Sequence, residues 1–180
     1  MKKRLGFVSN SSSSSFLVAF EKPLGEYTDR ELKQRLFGTT GKTVTGKYYG
    51  SKLDTDDLLR TVRCNAEEVK VNEDGSFSRV QFNFEEPEKV MLHEWFSKEV
   101  SEILESEGVN FDNDAYYTRM NEIADYVALK RNREWIALVR DKVGDARFYL
   151  FDFCDHTDIG AFLEHENIFK DFHHLYQNRH

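Results

Sequence analysis

Ser11-Ser12-Ser13-Ser14-Ser15-Phe16-Leu17-Val18-Ala19-Phe20 sets five hydroxyl residues directly against five apolar ones. An apolar run of strand length, bounded by serines and by Glu21-Lys22-Pro23, predicts a first, buried strand over 16–20. The serines ahead of it are not linker composition, because linkers mix Gly, Ser and Pro and this run has neither Gly nor Pro. Arg147 to Cys154 predicts a second strand with Tyr149, Phe151 and Phe153 on one face, entered through the turn Val143-Gly144-Asp145-Ala146. The continuous apolar run Trp135-Ile136-Ala137-Leu138-Val139 predicts a central strand.

Helix signals lie between these strands. Thr28-Asp29-Arg30-Glu31 has capping-box spacing and opens a short helix that carries Leu32, Leu36 and Phe37 and stops at Gly38. Asp54 or Thr55 caps a second helix through Leu58, Leu59 and Val62. Pro87 suits a first helical position, and Leu92, Phe96, Val100, Ile103 and Leu104 recur at helical spacing up to Gly108. Another helix starts at about Asp114 with Tyr116, Met120, Ile123 and Val127 on one face. A short one is expected around Ile159 to Glu166, followed by Phe169, Phe172 and Leu175. Lys42 to Tyr49 alternates weakly, and Val69–Val71 with Phe77–Phe84 frames a hairpin turning at Asp74-Gly75. Hairpins with interspersed helices predict an α+β fold: one domain over 1–180, a mixed, mostly antiparallel sheet packed with two longer helices, and residues 1–15 as a serine-rich N-terminal element.

Bulk composition narrows the function classes. One hundred and eighty residues with 15 Phe, 8 Tyr and 2 Trp suffice for a well-packed core. A formal charge of −7 opposes binding to nucleic acid, since phosphate contacts need a basic face. Ser9 to Ser15 occupies the place where a secretory signal needs its apolar core, and no stretch reaches the length of a membrane span, so a cytoplasmic protein is expected. Cys64 and Cys154 then read as reduced, semi-buried thiols.

Gly38-Thr39-Thr40-Gly41-Lys42-Thr43 fails as a phosphate loop. The required first glycine would stand at Leu36, and a helix precedes the segment where a strand is needed. Five of the six histidines, His156, His165, His173, His174 and His180, lie in the last 25 residues among Asp152, Asp155, Asp158, Glu164, Glu166 and Asp171. Imidazole with carboxylate suits zinc, manganese or non-haem iron. His156, His165, His173 and His174 are therefore candidate ligands of a divalent metal, although adjacent His173 and His174 cannot face the same way. Cys154 beside Asp155-His156 is a candidate nucleophile in which only Cys154 and His156 share a strand face. No Gly-x-Ser-x-Gly elbow is present.

The serine run carries three functional readings besides that of an exposed leader. Its hydroxyls and backbone N–H groups suit a loop that holds an anion. Its serines suit acceptors of phosphate or another group. Its wording suits an address read by a partner protein. Because Phe7, Val8 and Phe16 flank the serines as apolar anchors, the segment is expected to be held against the domain. A meeting of Ser11–Ser15 with the tail histidines in one anion-binding pocket requires strands 16–20 and 147–154 to be neighbours.

Gly6-Phe7-Val8-Ser9-Asn10-Ser11-Ser12-Ser13-Ser14-Ser15-Phe16 resembles the start shared by a set of otherwise diverse, uncharacterised small proteins of bacteria and their phages. Phe153-Cys154-Asp155, with Gly160-Ala161-Phe162-Leu163-Glu164-His165, is similar to an ending found among some of them. The resemblance implies a short N-terminal element grafted onto different domains and supplies no activity. The sequence thus predicts a small cytoplasmic protein (host cytoplasm if phage-encoded) that works by binding a protein partner. Ser9, Asn10, Ser11, Ser12, Ser13, Ser14 and Ser15 would be its recognition or modification element. The alternative is a metal-dependent hydrolase or nucleotide-processing enzyme built on the C-terminal His/Asp/Glu cluster.

Overall fold

The computed structural model describes residues 13–47, 50–78, 92–108 and 114–178. The first strand is longer than its apolar core and takes in the last three serines, running Ser13–Phe20 (β1). Its neighbours are Arg147–Cys154 (β5), with Phe16 opposite Phe151, and His173–Asn178 (β6), with Phe16 opposite Tyr176. Glu67–Val69 (β4) lines the far side of β5, giving the order β4-β5-β1-β6 with every pairing antiparallel. A separate hairpin, Thr43–Thr45 (β2) with Lys52–Asp54 (β3), completes the α+β architecture.

Antiparallel strands usually alternate because one face meets water. Here β1 and β5 read as near-continuous apolar runs because helices cover both faces. On one face Phe16, Val18, Phe20, Tyr149, Phe151 and Phe153 pack with Leu32 and Leu36 of Asp29–Phe37 (α1), Leu58 and Val62 of Thr55–Asn65 (α2), and Phe162 and Leu163 of Asp158–His165 (α5). On the other, Leu17, Ala19, Phe148 and Leu150 meet Trp135, Ile136 and Val139. The chemistry of α1 is as expected. Thr28 Oγ1 accepts from the Glu31 N–H at 3.2 Å, Glu31 accepts from the Thr28 N–H at 2.7 Å, and Gly38 ends the helix at φ 68°. The segment from Gly38 to Thr43 joins this helix to β2, which is not phosphate-loop topology.

Trp135–Val139 is not a strand. It belongs to the 30-residue helix Asp114–Val143 (α4), about 45 Å long. No Gly or Pro interrupts 114–143, so the helix continues through the apolar run. Trp135, Ile136 and Val139 face the sheet, whereas Leu138 remains 44% exposed. The first half of α4 pairs instead with Leu92–Ser106 (α3), burying Tyr116, Ile123 and Val127 against Val100 and Leu104. Glu99 of α3 is bridged by Lys130 and Arg131 at 3.2 Å each.

The hairpin expected at Asp74-Gly75 turns there, with Gly75 at φ 84° and a bridge between Val71 and Phe77. Its second arm beyond Ser78, Pro87, Tyr48, Tyr49 and the anchors Phe7 and Val8 lie outside the described residues. β6 adds a strand to a tail expected to carry only scattered aromatic residues. Cys64 and Cys154 are free and exposed rather than semi-buried, because each sits at the end of its element, beyond the packed faces. Among the described residues, no helix is long and apolar enough to cross a membrane.

Candidate functional site

The sheet changes character where β1 begins and β5 ends. Ser14 and Ser15 are each 1% exposed, so the strand carries buried hydroxyls into a position where apolar residues would serve packing as well. Such groups require partners. Ser15 donates to Asp152, its cross-strand neighbour on β5. Ser14, on the opposite face, donates to Glu164 Oε1 at 2.9 Å and lies 3.5 Å from the Tyr176 hydroxyl. Phe16 is buried beyond them, as expected of an anchor.

Glu164 reaches this point because α5 is clasped onto the end of β5. Thr157 caps the helix, its hydroxyl accepting from the Gly160 N–H at 3.0 Å. Gly160 lies so close to the strand that a Cβ there would stand 1.9 Å from the Cys154 carbonyl oxygen. The helix then returns its last turn, Glu164-His165, to the neighbourhood of Asp155 in the turn after β5. Two further bonds tie the β2–β3 hairpin to this helix: Ser51 donates to Asp158 at 2.8 Å, and the Lys47 N–H donates to Glu166.

Asp155, Glu164 and His165 offer ligand atoms that all lie within 4.8 Å of one another. Among the described residues no other group of three or more His, Cys, Asp or Glu side chains converges in this way. Glu164 is 6% exposed, and its Oε2 has no hydrogen-bond partner among the described residues. Burying a carboxylate costs on the order of several kcal/mol, whereas one hydrogen bond to a charged group returns about 1.5–3 kcal/mol. The Ser14 bond alone does not balance that cost.

The four histidines singled out in the sequence are not brought together. His165 falls in the cluster. His156 lies in the exposed turn after β5, and His173 and His174 alternate across β6. His174 is a packing residue: its ring stands 6.4 Å from Phe16 and 6.1 Å from Phe169, and its Nδ1 lies 3.0 Å from the Phe172 carbonyl oxygen. Burial pushes its pKa below the ordinary 6.5, outweighing the Phe172 hydrogen bond, which acts the other way. The unfolded chain therefore takes up a proton near pH 6.5 that the folded chain takes up only at lower pH. The contribution of His174 is fully present above about pH 6.5 and is lost as pH falls below it, by at most about 1.4 kcal/mol per pH unit. Denaturant midpoints measured from pH 7.5 to 5 should fall more steeply for the wild type than for His174→Phe; parallel profiles would refute this role.

Asp155 and Glu164 are the residues that sequence patterns miss. They join His165 from a turn and a helix end, a spacing that no local ligand signature describes. β1 and β5 are neighbours, as a meeting of the serine run with the tail histidines requires, but the tail residue that Ser14 bonds is Glu164 and not a histidine. Two carboxylates and an imidazole are donors that could hold a cation, the chemistry expected of the His/Asp/Glu tail, rather than the donors of an anion pocket. Ser9, Asn10, Ser11 and Ser12 lie outside the described residues. No family model, curated protein or solved structure matches the chain.

Proposed function

We propose that this chain is a binding protein whose serine-rich N-terminus is a recognition or modification element presented from a fixed point on the domain. The observation that supports the reading is the burial of Ser14 and Ser15 inside the central strand, their hydroxyls committed to Glu164 and Asp152. The point from which such an element would be presented is the start of β1, where Ser13 pairs with Cys154. The same burial bears on which serines could be modified. A modifying enzyme needs a reachable hydroxyl, and that requirement tells against Ser14 and Ser15 as acceptors.

The test is intact mass and partner capture from the native host, comparing the wild type with a Ser11→Ala, Ser12→Ala double variant that spares the structural serines. Added mass, or loss of a partner in the variant, is expected. An unmodified mass with an unchanged partner set would overturn the proposal.

A further inference from the structure

We propose that Asp155, Glu164 and His165 form a binding site for a borderline divalent cation, zinc before manganese, in which Ser14 is the positioning residue. The site goes beyond the partner-binding reading and does not depend on it. Two independent observations meet here. One is the convergence of three donors within 4.8 Å from a turn and a helix end. The other is the Glu164 carboxylate, 6% exposed, with Oε1 held by Ser14 and Oε2 without a partner among the described residues. A cation bound at Oε2 offsets the cost of burying that charge, which a single hydroxyl does not.

The donor set selects the ion. Two carboxylate oxygens with one imidazole nitrogen suit zinc or manganese, whereas calcium and magnesium favour all-oxygen shells. Zinc holds such ligands at about 2.1 Å, so any two lie at most about 4.2 Å apart. The present spread therefore closes with a contraction on the order of 1 Å, within the reach of side-chain torsions. Glu164 and His165 lie in the last turn of α5, whose dipole favours positive charge. Three protein ligands leave a coordination position for a further group. The Ser14 hydroxyl does for Glu164 what outer-shell partners do for metal carboxylates generally, fixing which oxygen is presented to the ion.

The full-length chain, treated with a chelator and dialysed, is titrated with zinc, then manganese, then calcium, by calorimetry and elemental analysis. One zinc per chain is expected, with calcium at least about tenfold weaker. Melting temperature should rise by roughly 5–10 °C at a hundredfold excess over Kd. Glu164→Gln, which keeps an acceptor for Ser14 while removing the charge, and His165→Ala should each weaken zinc binding at least about tenfold. Ser14→Ala should weaken it by about tenfold through its effect on Glu164. His156→Ala and His173→Ala should leave the affinity unchanged. Absence of saturable zinc or manganese binding, or equal binding by wild type and His165→Ala, would overturn the site; the latter variant lies at a helix end and serves even if Glu164→Gln fails to fold. An unaltered affinity in Ser14→Ala would remove the positioning role.

Discussion

Replacing Phe151 with alanine is expected to destabilise the protein by about 3–5 kcal/mol, the range for removing a fully buried aromatic ring. Phe151 is 0% exposed at the centre of β5, directly opposite Phe16 in the register. Its ring centroid lies 4.8 Å from Phe169, 6.1 Å from Phe153, 6.2 Å from Phe20 and 6.5 Å from Tyr149. These neighbours come from β1, β5 and the segment after α5, so no single element can move to fill the void. Native-state packing leaves such cavities largely open, and the lost dispersion adds to the lost transfer energy. Chemical denaturation would show a lowered midpoint at unchanged slope. Phe151→Leu should cost much less, and Tyr126→Ala, at a side chain 63% exposed on α4, should change stability by under about 0.5 kcal/mol. A loss below about 1 kcal/mol in Phe151→Ala would contradict the packing described.

Gly160→Ala sets two effects of opposite sign against each other. Alanine in place of glycine within a helix normally stabilises by up to about 1 kcal/mol. At this position the added Cβ would stand 1.9 Å from the Cys154 carbonyl oxygen, a backbone atom that no rotamer can move aside. Relief requires α5 to lift from β5, and overpacking of this kind costs about 1–3 kcal/mol. The steric effect wins, so net destabilisation is expected, together with weakened contact between Glu164 and Ser14. Thermal melts of Gly160→Ala beside a Gly144→Ala control separate the causes. Gly144 has open space around it but stands at φ 81°, so its penalty is conformational rather than steric. A stabilised Gly160→Ala would show that α5 does not press against the strand.

Legibility of the fold followed locality. The Thr28–Glu31 capping box, the Gly38 stop, the Asp54 cap and the strands at β1 and β5 were all visible, because each is specified by residues within a few positions of one another. Trp135–Val139 misled because a five-residue apolar run has no period of its own. The choice between strand and helix was made by the uninterrupted helical sequence before it and by the side of α4 that meets the sheet. β6 was hidden because His173, His174 and Gln177 weaken its alternation, and the open edge of β1 recruited it. In the candidate site, His165 was visible as a ligand type. Asp155 and Glu164 were visible only as two among several carboxylates.

The α+β class, the capped helices, the two apolar strands and the distinct wording of the serine run can be read from the residues alone. These follow from short-range sterics, hydrogen bonding and hydrophobic pattern. The burial of Ser14 and Ser15 inside the sheet emerges only from the assembled fold. That fold alone selected Glu164, Asp155 and His165 from a crowded tail. The physical reason is distance along the chain: Ser14 and Glu164 are separated by 150 positions, and only the antiparallel register of β1 on β5 and the close seat of Gly160 bring hydroxyl and carboxylate within a hydrogen bond.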